Sequence, residues 1–334
     1  MFRTRTAFFV AIKLFLFAVP CLFALSSCAQ KEPAPAEERQ EKPEHAPSQT
    51  PGASEASGDT PGDAPAPAQP PAAADAPDRD AFGTDPSLFP RVLADTEDLL
   101  FVLKECGYDP DQGYHWTAEI ENRSAHSLLF SLDQVSHDGV MCDPYWAQTA
   151  APGRKETFTI SWLPYTLEEA GLTDITQTEC VLTVFNDDDY TAPALLRQEC
   201  RVFPRGEDAA RIQVWEPQEK DRVLLSNDRC RITLTGIETE GEWGFTARLY
   251  LENFSDQNLI FSAENVTVNG IMADPAWAAP VAAGKRSASS VIWSLPALRE
   301  KGIEQVEEIS LPFRIYNERD YSDTAAQETV SVTL

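Results

Sequence analysis

Nucleophilic catalysis needs a serine or cysteine beside a base and a site for the developing oxyanion. Bases are scarce in this chain. Of its 4 histidines, His45 sits in a Pro-rich N-terminal stretch, and His115, His126 and His137 lie further on. The sequence carries no G-x-S-x-G, H-E-x-x-H, P-loop or G-x-G-x-x-G pattern. A hydrolase would have to build a polar cleft around His115 or His137, which makes it the third reading of function. Metal chemistry is equally poorly served. Cys106, Cys142, Cys180, Cys200 and Cys230 show no C-x-x-C spacing, so neither zinc nor any other metal or cofactor is expected. Asn186-Asp187-Asp188-Asp189 is rich in the oxygen ligands that calcium prefers, yet it reads better as a solvated hairpin turn.

The most distinctive short motif is Asp-Pro-x-Trp, which occurs as Asp143-Pro144-Tyr145-Trp146 and as Asp274-Pro275-Ala276-Trp277. An exposed tryptophan can stack on a glycan or anchor a partner protein, since tryptophan is enriched at binding hot spots. Asp143, Trp146, Asp274 and Trp277 are therefore the candidate ligand-binding residues. The competing reading is a turn, in which Asp caps the backbone, Pro fixes φ and Trp plugs a sandwich edge.

That the motif occurs twice reflects a duplication. A shift of 131 positions carries Arg91-Val92-Leu93 onto Arg222-Val223-Leu224 and, with no gap, Phe203 onto Leu334. The same shift superposes Glu121-Asn122 on Glu252-Asn253, Gly153 on Gly284 and Trp162 on Trp293. Internal repeats of this kind organise the whole chain. Residues 91–203 form repeat 1, residues 222–334 repeat 2, and residues 204–221 a linker.

The repeat weighs on each candidate site. His115, His126 and His137 face Thr246, Gln257 and Val268, none of which can act as a base. Arg319 falls in the partner of the acidic turn, where it would oppose a cation. Ile237, Ala273 and Leu311 replace Cys106, Cys142 and Cys180, so these cysteines read as small buried hydrophobes. Cys200 falls on Ser331, on the opposite strand face from Val330 and Val332, so a Cys180–Cys200 bridge is not expected. Asn122-Arg123-Ser124 and Asn253-Phe254-Ser255 match glycosylation sequons by coincidence.

The elements that must position these residues are strands. Trp116, Ala118 and Ile120 alternate with polar neighbours, as do Phe158, Ile160 and Trp162, and Cys180, Leu182 and Val184. Their counterparts repeat the pattern as Ala247, Leu249 and Leu251, as Ser289, Val291 and Trp293, and as Leu311, Phe313 and Ile315. Period-two apolar runs mean strands with one buried face, and several in about 113 residues mean a two-sheet sandwich. One short helix interrupts each copy, at residues 167–171 and 298–302, with Ser294 as a cap, Pro296 in the first turn and Gly302 as the stop. The fold class is all-β: two tandem sandwiches.

Residues 1–27 read as an export signal, with Arg3 and Arg5 before an apolar stretch that ends in Leu25-Ser26-Ser27-Cys28. The run from 14 to 25 is too short to span a bilayer, and Lys13 in hydrocarbon would cost about 2.5–3.5 kcal/mol. The segment resembles the lipobox of bacterial lipoproteins. The resemblance implies a diacylglyceryl thioether on Cys28, which becomes the first residue after cleavage, and stable anchoring through more than one acyl chain. Residues 28–90, beginning with this cysteine, are rich in Pro, Ala and acidic residues. Such a composition cannot offset its ordering entropy; it reads as a tether extending about 3.1 Å per residue.

The two repeats resemble the immunoglobulin-like modules of Gram-positive surface lipoproteins. The resemblance rests on Trp243-Gly244, Leu251-Glu252-Asn253, Val268-Asn269-Gly270, Ala283-Gly284-Lys285 and residues 309–316. Repeat 1 departs from it at Asp138-Gly139 and Gly153-Arg154. It implies a sandwich fold at the cell surface and no agreed activity.

The net charge is −26, which repels nucleic acid and anionic lipid. The reading that fits these features is a non-catalytic, lipid-anchored, extracytoplasmic binding or adhesion/display module, which binds an envelope protein or glycan, with two linked modules raising avidity, or serves as a display stalk. An accessory subunit of a membrane-associated envelope complex is the alternative.

Overall fold

A computed structural model of the chain describes residues 82–334 apart from Tyr190 and Glu242. The signal sequence, Cys28 and nearly all of the tether lie outside the described residues.

Repeat 1 runs through strands β1 (Arg91–Asp95), β2 (Leu99–Asp109), β3 (Gly113–Asn122), β4 (Leu128–His137), β5 (Val140–Met141), β6 (Ala147–Ala150) and β7 (Lys155–Trp162). Helix α1 (Pro164–Glu169) follows, then β8 (Thr178–Asn186) and β9 (Leu196–Val202). Repeat 2 uses β10 (Arg222–Ser226), β11 (Cys230–Gly241), β12 (Gly244–Asn253), β13 (Leu259–Ala263), β14 (Thr267–Val268), β15 (Ile271–Met272), β16 (Ala278–Val281) and β17 (Arg286–Trp293). It closes with helix α2 (Leu295–Glu300), β18 (Glu308–Asn317) and β19 (Thr324–Thr333). The architecture is all-β, with one short helix in each repeat.

The alternating patterns act as expected. Trp116, Ala118, Ile120, Ile160, Trp162, Leu182 and Val184 are buried in one core, and Ala247, Leu249, Leu251, Val291, Trp293, Phe313 and Ile315 in a second. Both helices carry a proline in the first turn, Pro164 and Pro296, and Gly171 and Gly302 follow their ends with positive φ. Ser294 occupies the N-cap position, but its side chain makes no capping bond. Packing of the first core also begins earlier than Arg91. Phe82 is buried and stacks on Tyr108 at 4.4 Å, and the Asp85 amide donates to the Pro204 carbonyl.

Matching strands start 131 residues apart from β1 through β7, and the β-bulges of β1 and β2 recur in β10 and β11. The last strand breaks this rule. Val184 faces Leu196 in repeat 1, while Ile315 faces Ala326 in repeat 2. The connection into β19 is thus one residue shorter in register terms, and Cys200 takes the place of Val330 rather than Ser331. Because side chains alternate with period two, this slip moves Cys200 to the other sheet face. Cys200 therefore lies directly opposite Cys180, and both are buried. The expectation that they face apart is corrected by this register.

Strands β1-β2-β3-β7 form one four-stranded sheet, and β15-β14-β18-β13-β16 with β19 form a six-stranded sheet at the other end. Between them runs a nine-stranded sheet shared by the repeats, ordered β10-β11-β12-β17-β5-β4-β8-β9 with β6 on β4. The join is a short parallel bridge, Arg286 beside Val140, with the Arg286 amide donating to the Gly139 carbonyl at 3.0 Å. Met141 of repeat 1 packs on the core of repeat 2, and Lys285 pairs with the Glu179 carboxylate.

The linker is docked rather than loose. Arg205 holds Asp174 with two bonds of 2.8 and 2.7 Å, and the Gln213 amide donates to the Asp138 carbonyl at 2.7 Å. Trp215 donates to Asp221 at 2.7 Å and lies 5.0 Å from the Tyr250 ring. The buried Asp138 carboxylate accepts from Thr176 N, Thr176 Oγ1 and Gln177 N. This brace fixes the turn on which Gln213 hangs.

Candidate functional site

The Asp-Pro-x-Trp motif lies between β5 and β6, and again between β15 and β16. In repeat 1 Asp143 Oδ1 accepts from the Tyr145 amide at 2.6 Å, and Tyr145 adopts φ 51°. Trp146 is half-buried and meets Phe101 edge-on at 6.3 Å. In repeat 2 Asp274 Oδ1 accepts from the Ala276 amide at 2.9 Å and Oδ2 from the Asn265 amide at 2.8 Å, with φ 53° at Ala276. Trp277 is 9% exposed, meets Phe313 edge-on and donates to Ser289 Oγ at 3.0 Å.

Each turn is anchored from the core. Trp162 Nε1 donates to the Cys142 carbonyl at 2.9 Å, and Trp293 Nε1 to the Ala273 carbonyl at 2.7 Å. The geometry is thus that of a capped turn with an inward indole. The four candidate ligand residues do not converge, since each pair serves its own repeat. What the motif presents to solvent is its variable position: Tyr145 is 73% exposed, and Tyr165, also exposed, lies within electrostatic reach of it. A Trp at the fourth position gives no sign in sequence of which way it turns.

The other singled-out residues are likewise built into the fold. Asn122 is fully buried; its amide donates to the His126 and Ala150 carbonyls at 2.8 Å, and its carbonyl accepts from Ser124 N and Oγ. Asn253 makes the same bonds to Gln257, Val281 and Ser255. The sequon pattern is a buried loop clamp. In the acidic turn, Asp189 Oδ1 accepts from Thr191 N and Oγ1, and Asn186 from the Asp188 amide. Among the described residues no three His, Cys, Asp or Glu side chains are grouped to hold a metal.

The histidines are scattered. His126 is exposed and 3.5 Å from Asp188, and His115 lies beside the Gly113 carbonyl at 3.3 Å. His137 is fully buried, hydrogen-bonded with Thr178 Oγ1 at 2.9 Å and packed on Trp162 and Tyr114, and burial lowers its pKa to about 3. Burial also pushes the thiols of Cys106 and Cys142 up to about 12 and Cys230 to about 11, which suppresses thiolate chemistry.

A polar cleft of about 390 Å³ opens between the repeats, where β8 and β9 face the 256–258 and 317–319 loops. Arg197, Glu199, Asp256, Gln257, Asn258 and Arg319 line it. Asn258 is held from behind, donating to Glu318 at 3.0 Å and accepting from the Ala283 amide at 3.0 Å. The cleft offers guanidinium donors, carboxylate acceptors and amides on one wall or the other, a set suited to hydroxyl groups. Its residues come from two repeats far apart in sequence and share no spacing, so nothing in the chain's patterning marks them.

No family model matches the chain. No curated protein matches it either. Similarity to solved structures is at low level, as two of them illustrate. One, described as giving insight into host cell surface retention of a 1.5-MDa bacterial ice-binding adhesin, has 13% identity and a TM-score of 0.18 over 72% of this chain and 65% of its own. The other, an exo-chitosanase of Amycolatopsis orientalis, has 12% identity and a TM-score of 0.21 over 71% of this chain and 26% of its own. This chain therefore spans less than two thirds of either, and scores this low carry no argument.

Proposed function

We propose that the chain is a non-catalytic, lipid-anchored protein of the cell surface whose joined repeats bind a hydroxyl-rich envelope glycan at their junction. The observation that carries this reading is the polar cleft between the repeats, with Arg197 and Glu199 of repeat 1 facing Asp256, Gln257, Asn258 and Arg319 of repeat 2. Sugar hydroxyls both donate and accept, and bind best to a mixed set of cations, carboxylates and amides fixed in advance. The shared sheet and the docked linker hold the two walls in register, which spares the ligand an ordering cost. The lipobox-like Leu25-Ser26-Ser27-Cys28 supports the anchor, and the immunoglobulin-like patterning supports a surface location.

The full chain, solubilised in detergent from its own membranes, is offered purified wall glycan, envelope polysaccharides and solubilised membrane protein. Retention on a glycan fraction, weakened at least tenfold by Arg197→Ala with Arg319→Ala, is expected. Retention on membrane protein alone would favour the accessory-subunit reading, and retention unaffected by the double variant would remove the cleft from the argument. For the anchor, the wild-type chain should partition into the detergent phase and Cys28→Ser into the aqueous phase; equal partitioning overturns it.

A further inference from the structure

Cys180 and Cys200 are partners in the β8–β9 ladder, directly opposite each other. Opposed residues of an antiparallel pair have Cα atoms about 4.5–5.5 Å apart, inside the roughly 4.4–6.8 Å span of a disulfide. Both side chains point to the buried face, at 4% and 5% exposure. The other cysteines have no such partner: Cys106 opposes Trp116, Cys230 opposes Asn253, and Cys142 lies outside the ladders. In repeat 2 the same place holds Leu311 opposite Val330, a plain apolar pair.

The position also has a mechanical use. Strand β9 is an edge of the nine-stranded sheet and spans 7 residues, whereas its counterpart β19 spans 10. A short edge strand frays more easily, and a frayed edge invites pairing with another chain. A covalent tie at its centre would hold it.

We infer that Cys180 and Cys200 form a cross-strand disulfide as the chain folds outside the cytoplasm. The inference rests on the surface placement proposed above, because exported chains meet the oxidants that keep disulfides formed. The oxidant is the disulfide of an exported thiol–disulfide oxidoreductase. Cys200 loses its proton and attacks one oxidoreductase sulfur. That disulfide breaks, its second sulfur leaves as a thiolate, and a mixed disulfide remains. Cys180 then loses its proton and attacks the Cys200 sulfur, expelling the first oxidoreductase sulfur as a second thiolate. Two thiols are oxidised and one disulfide is reduced to a dithiol. Because both cysteines are buried once β9 docks, exchange takes place during folding.

Proteolysis at Arg197 separates the two cysteines, so a link appears as joined peptides. The full chain is taken from its own membranes under an alkylating trap and, in parallel, refolded in a glutathione redox buffer. Joined Cys180 and Cys200 peptides that part on reduction are expected in both samples. Free Cys180 and Cys200 in a detergent-partitioning native sample, or no link in the refolded sample, would overturn the inference. An aqueous, cytosolic native chain with free thiols that still forms the link in buffer would uphold the pairing and sink the surface reading. The variant Cys180→Leu with Cys200→Val copies the repeat 2 pair and should fold. Reductant should lower the wild-type melting temperature by roughly 5–10 °C and leave the variant unmoved. A wild-type melting temperature indifferent to reductant would also overturn the inference.

Discussion

His137 shows how one residue can carry a pH dependence without any catalytic role. It is fully buried between Trp162 and Tyr114, and its Nε2 has no hydrogen-bond partner. Charging it in place would strand a cation in an apolar core, so its pKa falls to about 3, against about 6.5 in an unfolded chain. Below pH 6.5 the unfolded chain binds a proton that the folded chain refuses. Stability is therefore lost as pH falls from about 6.5 toward 3, by about 1.4 kcal/mol per pH unit, and this group adds no slope above 6.5. Repeat 2 has Val268 here, also fully buried. The variant His137→Val should fold and show a shallower decline of melting temperature between pH 6.5 and 4. An unchanged slope would mean that His137 finds a proton acceptor.

At the scale of elements, the repeats are held by contacts that recur at matching places. Gly113 and Gly244 open β3 and β12 at φ 73° and 127°, and a Cβ on either would stand 2.0 or 2.2 Å from the carbonyl oxygen of Trp162 or Trp293. Those tryptophans end β7 and β17, and their indoles anchor the Asp-Pro turns. The close approach thus links a hairpin, a core aromatic and a turn. Gly113→Ala and Gly244→Ala should each cost about 3 kcal/mol or more, the sum of backbone strain and overpacking, measured by denaturant unfolding. A cost under about 1 kcal/mol would show that the hairpin yields freely.

The whole molecule is coupled through the linker and the shared sheet. Trp215 against Tyr250, Gln213 on Asp138 and Lys285 on Glu179 each tie one repeat to the other or to the segment between them. Calorimetry should give one transition for residues 82–334. Trp215→Ala with Arg211→Ala removes the tyrosine contact and the bond to Asp174. The double variant should lose about 1–3 kcal/mol and resolve two transitions. Two transitions already in the wild type would mean that the docked linker transmits little.

Much of this was legible beforehand, for a simple reason. Burial of one sheet face writes a period-two pattern into each strand, and duplication writes it twice, so strands and the inward Trp162 and Trp293 could be read from residue types. Signals of local chemistry, such as proline and glycine at the helix ends, were legible for the same reason. Register and docking were not. The slip that sets Cys200 opposite Cys180 leaves the ungapped repeat intact, because a strand's pairing is chosen by turn length and packing rather than by its own residues. The parallel bridge from Arg286 to Val140, the cleft around Arg197 and Arg319, and the inward rotation of Trp146 and Trp277 each join residues from separate elements or repeats. Such contacts leave no periodicity in the chain. The sequence alone determined the β-class and the duplication; tertiary structure decided which side chains meet, since that depends on how the sheets twist and stack.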